Sequence, residues 1–354
     1  MLNIDKTKPV LVTGATGYLA GWIVKRLLEE GVTVHAAVRN PKDADKLAHL
    51  NQLALRLPGT ILYFKADLLD KGSYTEAMQG CAVVFHTASP FKLEVGDPQT
   101  ELVDPAKLGT RNVLETASKT ESVQRVVLTS SCAAIYGDCA DIENAPGQVL
   151  TEDIWNTSSS LQHVPYSYSK TVAEREAWSI VQKQSRWDLV VINPSFILGP
   201  GLNVQGTSSE SFNFVRQLGN GRMKAGIPDI GCGAVDVRDV ADAHLHAAYL
   251  PNAKGRHIVS GHNTSLPKIA EALLPKYDAY PVPRRILPKW LVWLFAPLAD
   301  KSITRKMITR NVAYGWQADN SKSVRELKMS YRPLQVTIQD MFQQLIDSGQ
   351  IPRP

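Results

Sequence analysis

Tyr166 and Lys170 stand four residues apart in PYSYSK, 35 residues beyond Ser131 in the β-like run LTSSC. On a helix, residues i and i+4 share a face, with Cβ atoms about 5–6 Å apart. A free phenol titrates near pH ~10. A neighbouring ammonium favours phenolate, which lowers that value and suits Tyr166 to general acid work. Ser131 can donate a hydrogen bond to an oxygen on which negative charge grows. Ser130 competes for that role, because adjacent strand residues face opposite sides and only one can face the site. Tyr168 is the rival phenol, but its i+4 residue is Val172, so it lacks the ammonium. Proton donor, ammonium and hydroxyl together form a set able to polarise and protonate a carbonyl.

A hydride source is suggested at the other end of the chain, where VLVTGATGYLAG carries a glycine-spaced turn. In the run Thr13, Gly14, Ala15, Thr16, Gly17, Tyr18, Leu19, the two glycines permit a tight strand-to-helix turn. The backbone can then approach a pyrophosphate, and the helix N-terminus offers free N–H groups and partial positive charge. Ala20 replaces the third glycine of the common fingerprint and is small enough for helix–sheet packing. An acidic residue at the end of the second strand would hold the ribose hydroxyl of NAD. This chain has Arg39 there, whose planar fork can stack on adenine and pair with a 2′-phosphate. Lys46 adds a second positive charge from the next helix, and Asp67 with Leu68 follows the third strand, where Asp67 can accept from the adenine amino group. The expected cofactor is NADP(H), with Lys170 also holding the nicotinamide ribose. The plainer alternative for Arg39 is an ordinary solvated strand-end charge.

The elements that must position these groups follow from periodicity. Apolar runs at 9–14, 32–38, 61–65, 82–87, 124–130 and 189–193 read as strands, and helical patterns near 18–30, 42–55, 74–79, 105–120 and 166–184 alternate with them. Such alternation predicts an α/β fold, a Rossmann-type doubly wound parallel sheet with a smaller C-terminal substrate-binding lobe. Residues 1–195 are expected to form the NADP-binding domain, its sheet completed by segments near 235–260, and 196–354 mainly the substrate lobe. The passage AVDVRDVADAHLHAAYL is read as returning to the sheet. The polar stretch 137–165 is read as a long functional loop, and 208–218 as a segment able to cover the site. No internal repeat or low-complexity tract interrupts the pattern.

Composition narrows the classes. With 44% hydrophobic and 21% charged residues, disorder is not indicated. The polar start MLNIDKTK does not read as a signal peptide, so a cytoplasmic protein is expected. Cys81, Cys132, Cys139 and Cys232 contain no C-x-x-C pair, which suits reduced thiols rather than a disulfide framework or zinc site. His244 and His246 point to different helix faces, and no metal site is expected. From residue 251 onward 16 Lys and Arg face 7 Asp and Glu, a bias that reads as a solvated basic face or as an attractor of a phosphorylated substrate or acidic surface. The longest apolar run, in LPKWLVWLFAPLAD, falls short of the roughly 20 residues of a membrane span. It is expected to be a buried lid or lobe helix; the alternative is a segment, rimmed by Arg284, Arg285 and Lys289, resting on a membrane surface.

With these motifs in place, the chain resembles the extended short-chain dehydrogenases/reductases, and within them the dihydroflavonol-reductase and yeast-type aldehyde (methylglyoxal) reductase branch. The resemblance rests on VLVTGATGYLAG, AAVRNP, KADLLD, VVFHTASPF, RVVLTSSCAAIYG, PYSYSK, INPSFILGPG and VDVRDVADAHL, with DNSKSVREL in the tail. It implies hydride addition to a carbonyl polarised by Ser131 and protonated by Tyr166. It places Thr87, Ala88 and Ser89 along the dinucleotide and Pro194 beside the carboxamide. Dihydroflavonol reductases that grip a polyphenol carry asparagine five residues beyond the serine; here that position is Tyr136, so strict flavonoid specificity is not expected. Phe91, Tyr136 and Phe196 instead suggest an apolar or aromatic pocket, or simple core packing.

The expected activity is NADPH-dependent reduction of a small-molecule aldehyde or ketone, by a monomer or homodimer with no nucleic-acid partner and no membrane role. A sugar-nucleotide epimerase or dehydratase and a steroid-type hydroxy-dehydrogenase are the enzyme alternatives. A non-catalytic NADP sensor is the remaining one, and the intact Tyr166–Lys170 pair argues against it.

Overall fold

The apolar runs of the first two-thirds of the chain alternate with amphipathic helices, and the strands they form pair side by side. The computed structural model describes residues 4–89, 96–205, 209–300 and 302–354. From the N-terminus, β1 (Val10–Thr13), α1 (Tyr18–Glu29), β2 (Thr33–Val38), α2 (Ala44–Ala54), β3 (Thr60–Lys65), α3 (Thr75–Met78) and β4 (Val83–His86) alternate. Then come α4 (Asp104–Lys119), β5 (Arg125–Thr129), α5 (Pro165–Val181) and β6 (Asp188–Pro194). They are followed by β7 (Phe196–Leu198), α6 (Glu210–Gly219), β8 (Ile227–Pro228), β9 (Gly231–Asp236), α7 (Val237–Tyr249), β10 (Gly255–Val259) and β11 (His262–Ser265). Last are α8 (Leu266–Glu271), β12 (Ile286–Leu287), α9 (Lys289–Ala299), α10 (Arg305–Asn311), α11 (Ser321–Glu326) and α12 (Leu334–Asp347).

Seven strands form one parallel sheet in the order β3-β2-β1-β4-β5-β6-β10. Their continuous apolar runs are explained by burial on both faces. Val10, Val12, Val127, Val190 and Ile192 enter the core beneath α1 and α7. Their chain neighbours Leu11, Val126, Leu128, Leu189 and Val191 enter the core beneath α4 and α5, as the two-residue side-chain period requires. On α1, Ile23, Val24, Leu27 and Leu28 are fully buried, each contributing roughly 1.5–3 kcal/mol by leaving water. The order reverses direction at β1, where the chain runs outward through β2 and β3 and resumes on the other side at β4. That is the crevice where ligands bind in open α/β sheets.

Beyond β6 a second core gathers Phe212, Val215 and Leu218 of α6 with Ile269, Leu273, Ile338, Met341, Phe342 and Leu345. It carries a three-stranded sheet, β11-β9-β7, and the two-stranded pair β12-β8. Two details differ from the sequence reading, and a third extends it. Of the AVDVRDVADAHLHAAYL passage only the helix returns: β9 pairs with β7 and β11, and β10 is the strand that joins the main sheet. The 137–165 stretch is a loop, as read, but it carries short 3₁₀ turns and is pinned by buried Asp138, which binds His163 (2.8 Å), Arg310 (2.7 Å) and Asn311 (2.7 Å). Finally, α9 is not buried: Val292 alone among its residues is, while Trp290, Trp293, Leu294, Phe295 and Leu298 are exposed. No helix among the described residues is long and apolar enough to cross a membrane.

Candidate active site

At the crevice between the C-terminal ends of β1 and β4 the chain approaches closely at Gly14 and Ala88. Gly14 adopts φ +62°, and a Cβ there would lie 3.1 Å from Ala88 Cβ. A side chain at Gly14 would therefore meet both backbone strain and a clash. Gly17 begins α1 in extended conformation with no side chain capping the helix. The first-turn N–H groups, on Tyr18 and Leu19 among others, have no intrahelical acceptor and suit an anionic pyrophosphate. Arg39 stands exposed just past β2 and, among the described residues, holds no hydrogen-bond or ion-pair partner. Backbone cradle, open helix terminus and unengaged guanidinium are a set that fits a phosphorylated dinucleotide.

The remaining residues expected at the cofactor divide by environment. Thr13 is fully buried, and its hydroxyl accepts from the N–H groups of Thr87 (3.1 Å) and Ala88 (3.0 Å) while facing His86 Nδ1 (3.1 Å). Its side chain thus fastens the β4 exit to β1 and is not free for a ligand. Tyr18 likewise donates to Gly199 O (2.6 Å) and stands edge-on to Phe212 at 5.2 Å. Thr16 lies in the open turn, and Leu19 packs its side chain against the α1 core. Lys46 is exposed and pairs with Asp43 at 3.3 Å. Asp67 caps its own turn by accepting from Leu69 N–H (2.9 Å), while Leu68 sits against Gly109 of α4.

The carbonyl-handling residues converge from β5 and α5. Ser131 follows β5 in extended conformation and starts a short 3₁₀ turn, accepting from Ala133 N–H at 3.1 Å. Its hydroxyl also hydrogen-bonds the Tyr166 phenol. Ser130 points the other way, buried, donating to Glu174 Oε2 at 2.6 Å, so Ser131 is the serine beside Tyr166. Lys170 is 9% exposed; its Nζ donates to Ser89 Oγ (3.0 Å) and lies 5.7 Å from the Tyr166 ring centre. Burial pushes Lys170 down to about 8. Tyr166 is 38% exposed as a residue, yet burial of its hydroxyl end pushes the phenol up to about 12, against the opposing hydrogen bond from Ser131. The expected lowering of the phenol by Lys170 is therefore absent in the free protein. The ammonium sits over the ring and faces Ser89, so loss of solvent around the hydroxyl dominates. Neighbouring His86 is pushed down to about 3 by burial and then by Lys170, and stays neutral.

Behind this trio lies a buried network that sequence reasoning missed. Glu174 accepts from Arg256 Nε (2.6 Å), Ser130 Oγ (2.6 Å), Asn193 Nδ2 (2.8 Å) and Trp178 Nε1 (3.2 Å). Arg256 in turn donates to Glu152 O (2.8 Å) and Ile154 O (2.6 Å) and stacks at 4.1 Å on Trp155. Asn193 also donates to Ser131 O at 3.1 Å, which links the network to the backbone of the site. The available signal was spacing: Tyr166, Lys170 and Glu174 repeat every four residues on α5 and so share a face.

At the pocket end, Pro194 closes β6, and the buried Oδ1 of Asn193 and Oγ of Ser195 beside it have no partner among the described residues. Tyr136 stands 6.1 Å from Trp316, in a cluster with Cys132, Ile135 and Leu150. Phe196 stands 5.6 Å from Phe214. Both rings are half-buried and packed within the protein. Phe91 lies outside the described residues. His244 and His246 bind separate partners, Thr129 Oγ1 (2.7 Å) and Leu327 O (2.6 Å).

The cinnamoyl-CoA reductase CAD2 of Medicago truncatula is 39% identical over 283 residues, 78% of this chain and 83% of that one. Anthocyanidin reductase of Arabidopsis thaliana is 35% identical over 288 residues, 78% of this chain and 82% of that one. The crystal structure of yeast methylglyoxal/isovaleraldehyde reductase complexed with NADPH superposes with a TM-score of 0.78 at 27% identity, covering 97% of this chain and all of that one. The family model for the NAD dependent epimerase/dehydratase family matches residues 10–261. With the cradle at Gly14 and the Ser131–Tyr166–Lys170 cluster on one parallel sheet, this chain belongs to the NAD dependent epimerase/dehydratase family.

Proposed function

We propose that this chain is an NADPH-dependent carbonyl reductase acting on a small aldehyde or ketone. The observation that carries the reading is the meeting of Ser131, Tyr166 and Lys170 beside the Gly14–Ala88 crevice. Residues 1–195, with the strand at 255–259, would hold the dinucleotide, and 196–354 would shape most of the substrate pocket. The turn from Gly14 to Leu19 would receive the pyrophosphate, Arg39 and Lys46 the 2′-phosphate, and Asp67 with Leu68 the adenine. Thr87, Ala88, Ser89 and Pro194 would line the path to the nicotinamide. When bound, the reduced nicotinamide supplies the hydride.

The protein's own groups manage the oxygen. Ser131 donates a hydrogen bond to the carbonyl oxygen, where charge grows as the carbon is reduced. Tyr166 gives that oxygen its proton, and Lys170, placed close to both Ser89 and the phenol ring, favours the phenolate left behind. An anionic dinucleotide next to Lys170 would raise the amine from its depressed value and hold it charged at neutral pH. The partly exposed rings of Tyr136 and Phe196 would favour an apolar or aromatic substrate. The four free thiols fit a reducing, cytoplasmic setting. Relatives named as cinnamoyl-CoA and methylglyoxal reductases support reduction rather than epimerisation, and the unengaged Arg39 supports NADPH over NADH.

The test is oxidation of NADPH, with NADH in parallel, against methylglyoxal, aromatic aldehydes, a diketone, a dihydroflavonol and a steroid ketone. Turnover of the aldehydes with NADPH supports the reading. Tightly held NAD with no carbonyl reduced would transfer the assignment to a sugar-nucleotide epimerase.

A further inference from the structure

Helix α9 is apolar on nearly every side, and one of its apolar faces is turned outward. Trp290, Trp293, Leu294, Pro297 and Leu298 follow the i, i+3, i+4, i+7, i+8 spacing of one helical stripe. That stripe faces solvent, with Trp290 66% and Leu298 77% exposed, while Val292 and Ala296 on the opposite side pack against Ile308 and Val312. Phe295, Ile286 before the helix and Met307 of α10 extend the exposed surface. A helix that is apolar nearly all round is normally covered, and a cluster of exposed apolar side chains along one helical face marks a contact surface.

The charge around the patch identifies what covers it. Among the described residues of 284–310, six Lys and Arg stand against a single acid, Asp300. Some of these cations are engaged: Arg284 pairs with Asp278, Arg305 stacks on Trp293, Lys289 donates to Thr309 O, and Arg310 binds Asp138 and Asp141. Arg285 and Lys306 are exposed and have no partner among the described residues. A second copy meeting this face through a two-fold axis would set one basic rim against another. An anionic phospholipid surface offers opposite charge at the rim and an acyl boundary for tryptophan, phenylalanine and leucine. We propose that the exposed face of α9, with Ile286 and Met307, docks in the plane of an anionic lipid bilayer. The helix axis then lies parallel to the surface, with Arg285 and Lys306 at the headgroups. The protein binds peripherally and reversibly.

The test is co-sedimentation of the full chain with vesicles of phosphatidylcholine alone and of phosphatidylcholine mixed with phosphatidylserine. Binding is expected to the mixed vesicles and to fall as salt is raised. Trp290→Ser and Leu298→Ser should each weaken partitioning about tenfold. Arg285→Ala and Lys306→Ala should each weaken it roughly fivefold, and only on the anionic vesicles. These side chains are exposed in the free protein, so thermal unfolding midpoints should stay near that of the parent. No binding to the mixed vesicles, or equal binding to both compositions, overturns the proposal. So does a doubled mass in sedimentation velocity that W290S/L298S abolishes, which would assign the face to a second copy. Capture of an acidic protein partner by that face, without vesicle binding, would overturn it equally.

Discussion

Truncating Glu174 to alanine removes one carboxylate on which four side chains depend. Glu174 is 1% exposed and Arg256 7% exposed, so the guanidinium left behind cannot turn to solvent. It keeps the carbonyls of Glu152 and Ile154 and the face of Trp155, but loses its only counter-ion among the described residues. Breaking a buried pair by removing one partner costs about 3–5 kcal/mol. For a chain of 354 residues that corresponds to a fall of about 4–7 °C in the thermal midpoint. Arg256→Ala should cost a similar amount, because it strands the carboxylate in turn. The double variant strands neither charge, so its cost should fall short of the sum by about 2–3 kcal/mol. Urea denaturation of the parent, both singles and the double gives this coupling directly. Strictly additive costs, or singles each costing under about 1 kcal/mol, would refute the idea that this pair braces the β5, β6 and β10 ends behind Ser131.

Two further perturbations address the cofactor end and the amine. Arg39→Ala should weaken NADPH binding roughly ten- to hundredfold, the worth of a charge-assisted pair, and leave NADH binding nearly unchanged; fluorescence titration with each nucleotide checks it, and equal losses would contradict the assignment. Lys170 is lowered from 10.5 to about 8 by burial, so between those values the unfolded chain holds more protons than the folded one. Stability of the free protein should therefore rise as pH climbs from about 8 towards about 10.5, and the full cost of burying the charge persists below 8. Lys170→Met should remove that rise and stabilise the free protein at neutral pH by up to roughly 3 kcal/mol, measured by urea denaturation at neutral and alkaline pH.

Local sequence signals were sufficient where one element made the whole statement. Gly14 and Gly17 after an apolar run specify a strand-to-helix turn, and Tyr166 and Lys170 specify one face of α5. The parallel order followed from strand–helix alternation. What escaped was everything set by contacts between distant segments. The side chains of Thr13 and Tyr18 also serve the fold, tying β1 to β4 and α1 to the β7 exit, which the turn motif does not announce. Arg256 and Asn193 are separated from Glu174 by 82 and 19 residues, and no local pattern announces their meeting. The expected tuning of Tyr166 by Lys170 was right about proximity but omitted desolvation, which decides the direction in the free protein. α9 was misjudged because apolar composition was taken as burial; an apolar helix states that its surface wants covering, not by what.

The central claim is that Tyr166 is the proton donor in a reductase. It is tested most directly by comparing the parent with Tyr166→Phe for NADPH affinity and for aldehyde turnover. General acid catalysis by a positioned side chain contributes about a hundred- to ten-thousandfold. The variant should therefore bind NADPH as the parent does and lose turnover by about that factor. Unchanged turnover in Tyr166→Phe, or a parent protein that binds NADPH and reduces no carbonyl, would contradict the account.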